Sequence, residues 1–193
     1  MGGHMVFTVG HSSHSPEDFL RLLSSNGVEI LIDVRSRPYS RHVPQFNREP
    51  LRVFLEARGI SYRYMGDRLG GMPEDAGMYD EDGRVLYSEL ARTAGFASGI
   101  EELRALARDG RVALMCGEEN PYGCHRFLLV GRVLAREGME IVHIRGDGRL
   151  ERAGAGEAAA PGGQMEMFLA EEEEWKSTRS VLPADRRRSS SGR

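Results

Sequence analysis

The chain has 193 residues, 40% of them hydrophobic and 28% charged, with a formal net charge of −3. This length supports one domain with a sizeable core, and the near-neutral charge gives no overall basic field that would favour nucleic acid. No apolar run approaches the roughly 18 residues of a membrane span, and the start lacks the pattern of a secretory signal, so we expect a cytoplasmic protein without a membrane partner.

The predicted elements alternate between strands and helices. A strand at residues 6–9 is followed by a helix that begins at Ser15, because Ser15, Pro16 and two acids suit a first turn. A strand at 28–34 completes a βαβ unit with parallel strands. Further helices are predicted at residues 49–58, 87–94, 98–108 and 124–137, further strands at 60–65, 112–116 and 139–144, and a long loop at 66–86.

This order predicts an α/β fold, a single three-layer domain with a mostly parallel sheet of about five strands flanked by helices. The composition changes after about residue 150, where Ala, Gly and Pro dominate and charged runs follow. We therefore expect an α/β domain over residues 5–150 and a C-terminal extension over 151–193. Within the extension we expect one helix containing residues 165–169 and Trp175, and a disordered end.

Two polar loops, residues 33–41 and 116–126, each follow a predicted strand. The carboxyl ends of parallel strands lie at one edge of a sheet, where ligand crevices form, so we expect both loops to border one pocket. Gly10, His11 and Ser12 follow the first strand and would form its third side. A glycine-rich turn there can also present backbone amides to an anion.

Acid–base candidates lie in each of these segments. Asp33 can act as a general base, a nucleophile or an acceptor for a ribose hydroxyl, and the alternative is an ion pair that pins the loop. His11 and His125 are candidate proton shuttles, and Glu118 is a further acid or base.

The loop after the second strand is rich in arginine. Guanidiniums with hydroxyls suit phosphate, and aromatic and amide side chains suit a nucleobase. The alternative is a solvated loop whose aromatic side chains reach the core. The candidate substrate-binding residues are Gly10, Ser12, Arg35, Ser36, Tyr39, Arg41, Phe46, Asn47 and Arg126.

Cys116 and Cys124 are the two cysteines of the chain. Cys116 at a strand end is a candidate nucleophile, and we expect the thiolate of Cys124 to be stabilised by a helix start and by Arg126. The alternative is that both thiols are small buried hydrophobes. Both cysteines with His125 suggest zinc, but the spacing is not a C-x₂-C knuckle, so we predict neither metal nor cofactor.

The motifs occur in the order typical of a prokaryotic family, called domain of unknown function 488, which the chain resembles over about residues 6–145. The resemblance implies a single α/β domain with a polar site at the strand ends, and it implies little about the reaction. The residues that carry it are Gly10-His11-Ser12, Asp33-Val-Arg-Ser-Arg-Pro-Tyr-Ser-Arg41, Phe46-Asn47, Leu69-Gly-Gly and Cys116-Gly-Glu with Cys124-His-Arg.

A weaker resemblance links residues 31–44 to rhodanese-like domains. Leu31-Ile-Asp-Val-Arg-Ser followed by His42-Val-Pro is similar to the rhodanese signature, which implies that Cys116 carries a persulfide. The stretch after Cys116 departs from that family, since Glu118 and Glu119 stand beside the thiol and would disfavour a thiolate.

Three functions follow from these observations. The favoured one is a hydrolase that acts on a nucleotide or nucleic acid, at a glycosidic or a phosphoester bond. The second is a rhodanese-like sulfurtransferase or other thiol enzyme that uses Cys116, with Cys124 as the resolving thiol. The third is a non-catalytic module that binds a nucleotide or nucleic acid. The sequence leaves both a monomer and a homodimer open.

Overall fold

The computed structural model describes residues 4–153 and 175–181 and contains one six-stranded mixed sheet. Its strand order is β3-β2-β4-β1-β5-β6, and every neighbouring pair is parallel except β5 and β6. The predicted α/β class with a mostly parallel sheet is therefore confirmed, with β6 as an additional antiparallel edge strand. The strands are β1 (Met5–Gly10), β2 (Ile30–Asp33), β3 (Ser61–Tyr64), β4 (Val112–Cys116), β5 (Glu140–Ile144) and β6 (Leu150–Arg152).

Helices flank both faces of this sheet. The first begins where the sequence predicts, because the Ser15 side chain caps it by accepting a hydrogen bond from the Asp18 amide. The helices are α1 (Pro16–Ser25), α2 (Arg48–Glu56), α3 (Gly66–Leu69), α4 (Tyr87–Ala91), α5 (Ala94–Asp109) and α6 (Arg132–Arg136), with short 3₁₀ turns at Pro44–Phe46, Ala76–Met78 and Pro121–Gly123 and a π-helix at Arg126–Gly131.

Two apolar clusters fill the space between the sheet and its helices. One contains Phe19 of α1 and Leu51 of α2 with the sheet residue Met115, and the other contains Ile100 of α5 with the sheet residue Leu114. Successive strand residues thus enter opposite clusters, as the alternation of side chains along a strand requires. The result is the predicted arrangement of one sheet between two helical layers.

The helix predicted at residues 124–137 begins later and irregularly. Cys124 has extended backbone angles, and its carbonyl accepts hydrogen bonds from both Phe127 and Leu128. The segment then continues as the π-helix before it becomes α6. Such wide turns occur often at functional sites.

The described part of the C-terminal region packs against the domain. Trp175, predicted to lie in a helix, instead lies in an extended segment in which Lys176 forms a β-bridge with Leu86. Its indole donates a hydrogen bond of 2.8 Å to the Leu128 carbonyl. Residues 165–169 and the last ten residues lie outside the described part. None of the described helices has the length and apolar character needed to cross a membrane.

Candidate functional site

Three strand ends meet at the centre of one sheet edge. β4 lies between β1 and β2, with Cys116 in register with Gly10 and with Met115 in register with Asp33. Directly after β1, the His11 amide donates a hydrogen bond of 3.0 Å to the Cys116 carbonyl. The candidate segments that follow β1, β2 and β4 are therefore neighbours.

A thiol–imidazole cluster lies at the end of β4. The Nδ1 atom of His125 lies 3.8 Å from the Cys116 sulfur and 3.9 Å from the Cys124 sulfur. Its Nε2 atom lies 2.8 Å from the Val34 carbonyl oxygen. Because a carbonyl can only accept, the proton belongs on Nε2, and Nδ1 presents its lone pair to both sulfurs.

The two thiols differ in acidity. The pKa of Cys116 is lowered, because Cys124 donates a hydrogen bond to its sulfur and the charge of Arg126 and the Gly117 amide favour the thiolate. The pKa of Cys124 is raised to about 12 by that same hydrogen bond and by burial. The expectation that Cys124 carries the stabilised thiolate is therefore wrong, since Cys124 is the donor of the pair.

Asp33 and Arg35 form a buried ion pair beside the cluster. Arg35 holds both carboxylate oxygens, with Nε 2.9 Å from Oδ1 and Nη2 2.7 Å from Oδ2. Arg35 also donates to the Phe46 carbonyl, and the Tyr62 hydroxyl donates to Asp33 at 2.6 Å. Asp33 is fully buried. This geometry matches the alternative of an ion pair that pins the loop.

His11 connects the β1 segment to this ion pair. Its Nδ1 atom donates to the Ser12 carbonyl at 2.9 Å, so its Nε2 atom can accept from Arg35 at 3.1 Å. The ring stacks on Phe46 with centroids 4.5 Å apart. Burial lowers the pKa of His11 to about 4, which leaves the ring neutral at neutral pH. Ser12 has a positive φ of 46°, a conformation that non-glycine residues rarely adopt.

Arg126 holds the loop that follows Cys116. It is almost fully buried and donates to the carbonyl oxygens of Glu118 and Glu119, the latter at 2.7 Å. The carboxylates of these two acids pair with Arg179 and Arg145 respectively. Since both acids have cationic partners, the electrostatic objection to a Cys116 thiolate is weaker than the sequence suggests.

The Leu69-Gly-Gly motif brings backbone against the site. A Cβ atom on Gly71 would lie 2.5 Å from Cγ of His125, and one on Gly70 would overlap the Ser36 hydroxyl. That hydroxyl accepts a hydrogen bond of 2.9 Å from the Met72 amide. A Cβ on Gly10 would overlap the Glu118 carbonyl. Glycine is thus required wherever these segments touch.

The candidate nucleobase contacts do not share one surface. Phe46 is buried beneath His11, whereas Tyr39 is 70% exposed. Arg41 is also exposed. The Asn47 side-chain oxygen accepts from the Ser40 amide at 2.6 Å and so stabilises the loop.

Sequence reasoning missed two partners of the site. The Val34 carbonyl orients His125, and a backbone atom has no signature in a sequence. Tyr62 binds Asp33, and its only signal was the alternation of Ile60, Tyr62 and Tyr64 in the strand predicted at residues 60–65.

A family model described as Domain of unknown function DUF488 matches residues 15–133. No curated protein and no solved structure matches the chain. The match covers the site segments after β2 and β4, including both cysteines and His125.

Proposed function

We propose that this chain, which belongs to the DUF488 family, is a thiol enzyme in which Cys116 attacks a sulfur electrophile and Cys124 resolves the product. The observation that carries the proposal is the position of His125, whose Nδ1 atom faces both sulfurs while Val34 holds Nε2. A nucleophile, a base and a group that orients the base are the parts of an activated thiol.

The first step is attack by Cys116 on a disulfide. His125 Nδ1 accepts the Cys116 proton, and the thiolate forms a new S–S bond while the substrate S–S bond breaks. The departing thiolate takes the proton back from His125. Both cysteines are buried, Cys124 more deeply than Cys116, and we therefore assign the first attack to Cys116.

The second step is attack by Cys124 on the Cys116 sulfur. His125 accepts the Cys124 proton, a Cys116–Cys124 disulfide forms, and the second substrate thiol leaves with that proton. The substrate disulfide is reduced to two thiols, and the protein dithiol is oxidised. An external thiol reductant then restores the dithiol. With a sulfane-sulfur donor such as thiosulfate, Cys116 would instead become a persulfide as sulfite leaves.

The test is to incubate the reduced, chelator-treated protein with oxidised glutathione or with thiosulfate and to follow adducts by mass spectrometry. We expect Cys124→Ser to accumulate a mixed adduct at Cys116, and His125→Ala to slow its formation by roughly 10²–10⁴-fold. Exposed His42→Ala is the matched control and should react like the native protein. Full reactivity of Cys116→Ser with both substrates would refute the proposal.

A second candidate function is binding of a single nucleic-acid strand on the loop after β2, and the exposure of Tyr39 favours it. Tyr39 lies between the exposed Arg37 and Arg41. Stacking of bases on an aromatic ring beside guanidiniums that hold phosphates is how such strands bind without sequence preference. Hydrolysis of a nucleotide or nucleic acid stays a prediction of the sequence.

Fluorescence anisotropy with a labelled oligonucleotide tests this second candidate. Replacing Tyr39 with Ala should weaken binding by roughly tenfold or more, because stacking contributes about 1–3 kcal/mol per base. Added salt should weaken binding further, since phosphate contacts release counterions. Exposed Val53→Ala on α2 is the control. Absence of binding at low salt would exclude this function.

A further inference from the structure

We infer that Cys116, Cys124 and His125 form a binding site for one Zn²⁺ ion, and that its occupancy switches off the thiol chemistry. The metal site follows from the geometry alone, whereas the switch rests on the proposed function. The same three residues would then form both the reactive centre and the site that regulates it.

The three donor atoms are already close to metal-binding distances. The two sulfurs and Nδ1 all lie within 4.8 Å of one another, and the sulfur–nitrogen distances are 3.8 and 3.9 Å. Zn–S bonds of ~2.3 Å and Zn–N bonds of ~2.0 Å in a tetrahedron place such donors roughly 3.5 Å apart. The two sulfur–nitrogen distances would therefore need to shorten by only a few tenths of an ångström.

The histidine already has the orientation of a metal ligand. Metal-bound imidazoles usually donate their second N–H to a carbonyl or carboxylate, which fixes the ring and the tautomer. His125 donates Nε2–H to the Val34 carbonyl at 2.8 Å, and Gly71 packs against the ring. Little reorganisation of His125 is needed on binding.

The donor set selects the kind of ion. Two thiolates and an imidazole favour Zn²⁺ over Mg²⁺ or Ca²⁺, which prefer oxygen ligands. Within residues 4–153 and 175–181, the cluster of potential ligands has these three members. A fourth position is thus left for water or a small thiol, as in zinc sites with three protein ligands.

The sequence argued against metal because residues 116 and 124 are not spaced as a knuckle. The fold supplies the proximity in another way, since β4 presents Cys116 and the loop returns to place Cys124 and His125 beside it. A Zn²⁺ ion would bind one lone pair on each sulfur and displace both thiol protons. Neither sulfur could then attack a substrate.

The experiment uses the full chain, reduced and chelator-treated, with Co²⁺ as the spectroscopic probe and Zn²⁺ as competitor. We expect a thiolate-to-cobalt charge-transfer band that saturates at one equivalent and disappears on addition of Zn²⁺. Cys124→Ser and His125→Ala should each weaken binding by ~10-fold or more, while His42→Ala should not change it. Absence of the band, or unchanged binding in both ligand variants, would overturn the inference.

Protection of the native thiols gives a measurement that needs no variant. One equivalent of Zn²⁺ should slow maleimide labelling of Cys116 at least tenfold, and excess chelator should restore it; unchanged labelling would contradict the site. Sulfur turnover in chelator tests the proposed function separately. Turnover without metal binding would remove only this inference, whereas metal binding without turnover would remove the proposed function and with it the switch.

Discussion

At the scale of single residues, the site depends on side chains that hold other groups in place. Arg35 fixes Asp33 and also donates hydrogen bonds to His11 and to the Phe46 carbonyl. The Val34 carbonyl and the backbone of Gly71 likewise hold the His125 ring in place. In the proposed function, two sulfurs and one imidazole nitrogen react, and these neighbouring groups hold them in place.

Arg126 provides the clearest test of whether such a side chain holds a neighbouring segment in place. Replacing it with Met keeps much of the volume but leaves the partly buried Glu118 and Glu119 carbonyls without their donor. We expect a loss of about 2–4 kcal/mol in the free energy of unfolding, measured by urea denaturation. The exposed control Arg37→Met should change the free energy of unfolding by no more than about 0.5 kcal/mol. Equal stability of the two variants would show that Arg126 does not hold the loop.

At the scale of elements, the sequence predicts the strands and their order of appearance but not how the loops meet. Alternating apolar residues and helix caps are local signals, so β1 to β5 and α1 lie close to their predicted positions. The π-helix depends on the shared Cys124 carbonyl, and the contact between Gly71 and His125 joins distant segments. Such contacts arise only after the chain has folded. The sequence therefore identifies the two cysteines and His125 as candidates but does not predict that they lie together.

The Leu69-Gly-Gly motif makes a prediction at this scale. In Gly71→Ala, the new Cβ would press on the His125 ring, so the ring or the loop must shift. We expect a loss of about 1–3 kcal/mol in stability and slower adduct formation at Cys116. Gly95→Ala in α5 is a matched control, because its Cβ would meet no atom within 4 Å. That variant should be slightly more stable, by up to about 1 kcal/mol, owing to higher helix propensity.

Thermal unfolding and the rate of Cys116 modification measure both consequences of the Gly71 change. A Gly71→Ala protein with native stability and native thiol reactivity would show that the close approach has no role. A loss of reactivity without a loss of stability would place the effect on the orientation of His125.

At the scale of the whole molecule, two buried neutral histidines connect stability to pH. His11 lies in the network with Arg35, and His143 lies in the core beside Phe127 and within 2.8 Å of the Thr8 hydroxyl. Burial lowers the pKa of each to about 4. In the unfolded chain both would titrate near 6.5.

The sign of the pH effect follows from which state binds more protons. Between pH 6.5 and 4 the unfolded chain protonates both histidines while the folded protein does not, so acidification favours unfolding. The stability contributed by their neutral forms is complete above pH 6.5 and lost as pH falls toward 4. For each histidine the loss is on the order of 3 kcal/mol.

Urea denaturation at pH 7, 5.5 and 4.5 measures this loss. We expect the free energy of unfolding to fall over that range, and His143→Gln to remove about half of the histidine contribution to the slope. Exposed His42→Ala is the matched control. A pH profile that is as steep in His143→Gln as in the native protein would assign the acid sensitivity to other groups. A shallower profile would show that the buried imidazole of His143 sets part of the pH range in which the whole sheet stays folded.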